Sequence, residues 1–118
     1  MNMLNSIILE GTVESDATSK MLGGTTVSTM PISVKRKYRN SDGSEHEETS
    51  FFDVETYGNI AVSVNKYAKK GKGVRVVGRL KQKRWEEDGK TMSKVVVIAE
   101  HVEYKFNLDE KEETKNGD

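Results

Sequence analysis

The sequence contains no cysteine. Disulfides and thiolate metal sites are therefore excluded, and a reducing compartment is compatible with the chain. Proline occurs once, at Pro31, and tryptophan once, at Trp85. No apolar run approaches the roughly 20 residues that a helix needs to cross a membrane. The start, Met1-Asn2-Met3-Leu4-Asn5, lacks the basic and long apolar segments of a signal peptide. No membrane partner is expected, and the expected location is cytoplasmic. Neither charge is in surplus: 19 basic and 19 acidic residues give a formal net charge of zero. On its own that argues against a nucleic-acid binder. There is no Ser-His-Asp order and no cluster of metal ligands, so neither an enzyme nor a cofactor is implied.

What is present is a short, highly charged chain. Its 118 residues are 34% hydrophobic and 32% charged, which allows one domain with a modest core. The charge is segregated. From Phe106 onward the chain carries −3, and the 105 residues before it carry +3. Segregation of this kind can build a basic groove into a neutral protein. The residues after 106 read as a short, acidic, disordered tail.

Gly, Asn, Asp and Ser clusters punctuate short β-rich runs. Residues 5–13 read as a first strand, where Gly11 suggests a bulge or a close backbone approach. Gly23-Gly24 marks a turn before a long second strand, Thr25–Arg39. Residues 49–57 form a third strand. Ile60, Val64, Tyr67 and Ala68 then fall at helical spacing, which predicts a helix over 60–70 with this stripe in the core. Gly71 stops it. Residues 73–85 and 91–106 form the fourth and fifth strands around the hairpin signal Asp88-Gly89. Three strands, a helix and two strands match the OB-fold, an all-β, five-stranded Greek-key barrel with one helix between strands three and four. The expected domain is 1–106.

Alternation along the fourth strand puts Arg79, Lys81, Lys83 and Trp85 on one face, with Val74, Val76, Gly78 and Leu80 on the other. A row of cations ending in an indole suits a nucleic-acid strand, with phosphates on the cations and a base on the ring. A solvated edge strand whose tryptophan is half-buried explains the same run. Phe51 and Tyr57 share a parity, Phe52 and Val54 take the opposite one, and Tyr38 shares a parity with Arg36. Tyr38, Phe51, Tyr57 and Trp85 can thus all face outward, where exposed aromatics would cost solubility without a partner. His46, within Glu45-His46-Glu47-Glu48, reads as a surface loop, and Gly71-Lys72-Gly73 as a turn.

The stretches Ile7-Ile8-Leu9-Glu10-Gly11, Thr49-Ser50-Phe51-Phe52-Asp53-Val54, Tyr57-Gly58-Asn59-Ile60-Ala61, Lys66-Tyr67-Ala68-Lys69-Lys70-Gly71, Val76-Val77-Gly78-Arg79-Leu80 and Arg84-Trp85 together resemble the bacterial single-stranded DNA-binding protein family. The likeness runs from about Asn5 to Tyr104. It implies bases stacked on Tyr38, Phe51, Tyr57 and Trp85, two of which stand where the family has tryptophan. It implies phosphate contacts from Arg39, Lys70, Lys81, Lys83 and Arg84, with Arg36 and Lys69 as neighbours. Arg79 joins this set through its strand parity. The implied function is coating exposed single-stranded DNA without sequence preference in replication, recombination and repair. The implied assembly is a homotetramer, a dimer of dimers, associated with the bacterial nucleoid.

Four features depart from the family pattern. Asp53 and Glu55 share the parity of Phe51 and Tyr57, where carboxylates would repel phosphate unless paired. Asn59 stands where a basic residue is common. Pro31 interrupts the second strand, which suggests a bulge or an edge. The family recruits replication and repair proteins through an acidic tail tip with a terminal apolar pair; this chain ends Glu113-Thr114-Lys115-Asn116-Gly117-Asp118, acidic but without that pair. Two further readings stay open: an adaptor resembling the dimeric primosomal replication proteins, and an OB interaction or oligosaccharide-binding module whose binding hardly changes with salt.

Overall fold

The computed structural model describes residues 1–105. The expected acidic tail, and the extension of the last strand to Phe106, lie outside the described residues. Six strands and one helix follow in order: β1 (Ile7–Val13), β2 (Thr18–Leu22), β3 (Thr25–Arg39), β4 (Glu45–Tyr57), α1 (Gly58–Tyr67), β5 (Gly73–Glu87) and β6 (Lys90–Tyr104). The sheet order is β1-β5-β6-β4-β3-β2. A further pairing, Thr12 with Ser33 and Val13 with Ile32, joins β1 to β3 and closes five strands into a barrel. This is the OB-fold architecture. β2 is an additional short strand, paired only to β3, that the sequence reading did not include. All five of its residues are exposed, so it has no inward row for alternation to reveal.

The core is aliphatic and built from alternate strand positions. Val13, Met30, Ile32, Val54, Val74, Val76, Val97 and Ala99 pack with Val64 and Ala68 from the helical region. α1 lies against β3, β4 and β6 and is shorter than expected. It ends at Tyr67, and the backbone that follows is held elsewhere. Gly71 donates its N–H to the Val13 carbonyl at 2.8 Å, and Lys70 donates its N–H to the Asp16 carboxylate at 2.9 Å. Of the expected apolar stripe, Val64 and Ala68 are fully buried and Ala61 joins them. Tyr67 instead stays half-exposed, its ring 5.5 Å from that of Tyr104.

Gly11 is a close approach, not a bulge. A Cβ there would lie 2.4 Å from the Ser33 carbonyl oxygen, so only glycine lets β1 turn towards β3. Pro31 causes neither bulge nor edge, because β3 and β4 stay in continuous register through Pro31↔Asp53. The Pro31 carbonyl accepts from Glu14 N–H at 2.9 Å. A strand residue points its N–H and C=O the same way, so the missing donor faces away from β4. It falls in the gap between the part of β3 paired to β2 and the part paired to β1.

Leu80 is a correction to the inward row. Val74, Val76 and Gly78 are buried, but Leu80 is exposed. By that point β5 has left the barrel, and Asn5 lies along it, its side chain bonding the Leu80 N–H and C=O at 3.0 and 2.8 Å. β3–β4 likewise extend beyond the barrel. β4 starts at Glu45, four residues earlier than expected, so His46 belongs to a strand. Two hairpins therefore project from a small closed core.

Candidate nucleic-acid interface

One continuous face runs across β4, β6 and β5. The parallel pairing of Val54 with Val97 and Glu55 with Ile98 fixes it. Val54 and Val97 point into the core, so Glu55 and Ile98 point outward. The outward row on β4 is Phe51, Asp53, Glu55 and Tyr57. On β5 it is Arg79, Lys81, Lys83 and Trp85, directly opposite Ile98, Val96, Lys94 and Met92 of β6. Val96 and Ile98 are buried and give this face an apolar floor. The aromatics on it are accessible: Phe51 is 67% exposed, Trp85 42% and Tyr57 37%. Trp85 stands near the tip of the β5–β6 hairpin. That hairpin turns at Asp88 and Gly89, both with positive φ (51° and 77°), as a two-residue primed turn requires.

The carboxylates on the face are paired. Lys83 bonds the Glu55 carboxylate, and Lys94 bonds that of Asp53. Glu55 is buried and also accepts the Tyr57 hydroxyl hydrogen at 2.9 Å. Burial first, and then this bond to a carboxylate, pushes the Tyr57 phenol above its ordinary value, so it stays a donor. Lys83 and Lys94 are themselves cross-strand partners. Two ammonium groups directly opposite each other repel, and the two β4 carboxylates relieve that repulsion. Among the described residues, no carboxylate lies within ion-pair distance of Arg79, Lys81 or Arg84.

Tyr38 does not share this face. It pairs with His46 in the row that begins at Met30 and Ile32 in the core, opposite to the side of Phe51 and Tyr57. Its ring, 37% exposed, stacks on His46 at 5.5 Å and 21°, with the Arg36 guanidinium 5.5 Å from its centroid. Asp42 fixes the turn by accepting from the Ser44 hydroxyl at 2.6 Å, and Ser44 Oγ lies 2.9 Å from His46 Nε2. A hollow of about 420 Å³ opens there, lined by Lys37, Tyr38, Arg39, Glu45, His46 and Glu47. Arg39 is paired with Glu45 at 2.7 Å and lies on the Phe51 side of the ribbon.

Lys69 and Lys70 are remote from Trp85. They precede β5, whereas Trp85 is near its end, about 40 Å of strand away. Arg75 and Lys105 are engaged at the base of the barrel by Glu10. Two residues assigned no part in the site from the sequence enter the picture: His46, expected in a surface loop, and Lys94. His46 covers one side of Tyr38. Lys94 has the parity of the buried Val96 and Ile98, a row that the run Val95-Val96-Val97-Ile98 hid by being apolar on both faces.

Comparison with known proteins agrees with this geometry. The profile of the Single-strand binding protein family matches residues 4–105. A single-stranded DNA-binding protein of Aquifex aeolicus is 41% identical over 101 residues, covering 85% of this chain and 69% of that protein. One from Wolinella succinogenes is 32% identical over 117 residues, covering 98% of this chain and 70% of that protein. The crystal structure of the wild-type single-stranded DNA binding protein from Thermus aquaticus aligns with a TM-score of 0.78 at 25% identity, covering 90% of this chain and 52% of that one. A Plasmodium falciparum SSB complex with ssDNA shares the fold, with a TM-score of 0.82 at 24% identity over 90% of this chain and 98% of that one. With the barrel, the crossover helix and the profile match over residues 4–105 in agreement, the chain belongs to the Single-strand binding protein family.

Proposed function

We propose that this chain binds single-stranded DNA without sequence preference and coats strands exposed in replication, recombination and repair. One observation carries the reading: accessible aromatic rings and cations share one face, which runs from the outer wall of the barrel at Phe51 and Tyr57 onto the β5–β6 hairpin at Trp85. Phe51, Tyr57 and Trp85 offer π-faces on the β4–β6–β5 surface, each worth about 1–3 kcal/mol to a stacked base. Arg79 and Lys81 supply charge beside them, and Lys83 stands there paired to Glu55. Arg84 alternates to the other face of β5, where it bonds Gln82 at 3.1 Å, and meets a strand that wraps the hairpin. Tyr38 and Arg36 extend the path on the other side of the β3–β4 ribbon, so a strand touching both Phe51 and Tyr38 crosses the ribbon's edge near Arg39. Lys69 and Lys70 serve a strand that continues round the barrel. Family membership and the relatives named as single-stranded DNA-binding proteins support the same reading.

The protein acts as an oligomer in the cytoplasm, beside the nucleoid. Residues 7–10 of β1 have β5 on one side and, among the described residues, no strand on the other. Ile8 there is 67% exposed. A second copy's β1 can pair with that edge, and two such dimers give the tetramer that the family resemblance implies.

Fluorescence titration with oligo-dT at several salt concentrations tests the reading, because Trp85 is the sole tryptophan. The expected result is strong quenching, with log affinity falling by about 0.7 per log unit of salt for each phosphate neutralised. Absence of binding at low salt would overturn it in favour of an adaptor. Binding that is indifferent to salt would favour the oligosaccharide or protein module.

A further inference from the structure

We propose that Asp53 and Glu55 are built-in competitors for the DNA phosphates, neutralising Lys94 and Lys83 in the free protein and so lowering the affinity and salt sensitivity of the face. The inference rests on the DNA-binding reading above and specifies how that site is tuned.

Both carboxylates lie in the outward row of β4, between Phe51 and Tyr57, where bases would stack. Each is engaged by an ammonium group from the β5–β6 hairpin. The two lysines occupy directly opposed positions, Lys83↔Lys94, so the four groups form a compact set with no net charge. The pairs differ in depth. Glu55's side chain is 8% exposed against 34% for Asp53. Glu55 is fixed by Tyr57 as well as Lys83, and Tyr57 keeps its proton because burial and the Glu55 bond hold its phenol above the ordinary range. Asp53 has more access to water.

Counterion release gives this arrangement a measurable consequence. A free lysine that takes a phosphate releases the cation condensed there, and each such release steepens the salt dependence by about 0.7. A lysine already held by a carboxylate behaves differently. If it moves to the phosphate, the abandoned carboxylate must take up a cation. If it bridges both, the site has no net charge to offer. Either way the net release is cancelled. Lys83 and Lys94 then count for little in the slope, although both stand on the binding face. Arg79 and Lys81, without such partners among the described residues, count fully.

The test compares oligo-dT binding by the full chain and by Asp53→Asn, Glu55→Gln and the double variant across a salt series, with Glu103→Gln as control. Gln at 55 still accepts the Tyr57 hydroxyl, and Asp53→Asn is a surface change; thermal unfolding verifies that each variant folds. Glu103 lies nine residues beyond Lys94 on β6, facing Arg75 at 3.9 Å, and its replacement adds the same unit of net charge. The expected result is a slope steeper by about 0.7 for each carboxylate on the face, with low-salt binding about two- to five-fold tighter, and neither change for Glu103→Gln. Unchanged slopes in Asp53→Asn and Glu55→Gln, with normal wild-type binding, overturn this inference and leave the DNA-binding reading intact. An equal rise in Glu103→Gln also overturns it, because overall charge would then explain the effect. Binding by the variants alone, with none by the wild type, supports the competitor role and overturns the coating reading. Failure of every protein to bind overturns both.

Discussion

The barrel and the hairpins that project from it are built from the same strands under opposite rules. In β5, Val74, Val76 and Gly78 are buried, and from Arg79 to Glu87 no residue is. In β3, Met30, Ile32 and Ser33 are buried, and from Lys35 onward every residue is exposed. The first halves of these strands close a valine-rich core. The second halves carry aromatics and cations that contribute nothing to it. In β3 and β5 stability is concentrated at one end and recognition at the other, whereas in β4 the exposed Phe51 and Tyr57 flank the buried Val54 and Thr56. In both cases different residues carry the two properties, so mutations should separate them. Glu55 stands at the boundary: it is buried like a core residue but bonded to Lys83 and Tyr57 of the exposed face.

The largest expected effect is in the core. Ile32 is fully buried at the point where β1 and β3 close the barrel. Ile32→Ala should cost about 2–5 kcal/mol of stability, read from denaturant unfolding, while folded protein binds oligo-dT with wild-type affinity. A loss of affinity in protein shown to be folded would mean that the barrel end shapes the hairpin face directly.

Trp85→Ala should do the reverse. The indole is partly exposed near a hairpin tip, outside the core cluster, so stability should change by no more than about 0.5 kcal/mol. Oligo-dT affinity should fall by about 1–3 kcal/mol, measured by anisotropy of labelled DNA because the intrinsic fluorescence is removed. A large stability loss with unchanged affinity would return Trp85 to the role of a half-buried packing residue and break the division between barrel and hairpins.

The same division explains what could be read from the sequence. Where a strand has one wet and one dry face, alternation is informative, and Val74, Val76 and Val54 follow it. β3 matches its expected bounds, Thr25–Arg39. β2 has no dry face, and the start of β4 is polar on both sides, so neither could be seen by alternation. Parity also misled beyond the barrel. Tyr38 keeps the parity of Ile32, and only the register with β4 shows that it faces away from Phe51. The pairing of Asp53 with Lys94 and of Glu55 with Lys83 links residues 41 and 28 positions apart. The sequence raised the need for partners there but could not name them, because neighbouring strands are set by topology. The helix end was lost for a similar reason: Gly71 and Lys70 give their backbone donors to Val13 and Asp16.

The smallest expected effect lies on the boundary itself. Tyr57→Phe removes the hydroxyl that donates to Glu55 and keeps the ring, so oligo-dT affinity should stay near wild type while stability falls by about 1 kcal/mol. The pH dependence has a definite sign. Because the folded phenol is held above its ordinary value of about 10, its contribution is complete below that value and is lost as pH rises through the higher folded pKa. Unfolding of the wild type should therefore become easier above about pH 10, and Tyr57→Phe should lose part of that sensitivity. The rest belongs partly to Tyr104, whose phenol is also raised, chiefly by burial. An identical alkaline profile in the variant would show that Tyr57 is bound to Glu55 too weakly to join the two halves. Glu55 would then be tied to the exposed face through Lys83 alone, although its backbone stands in the barrel part of β4 beside the buried Val54 and Thr56.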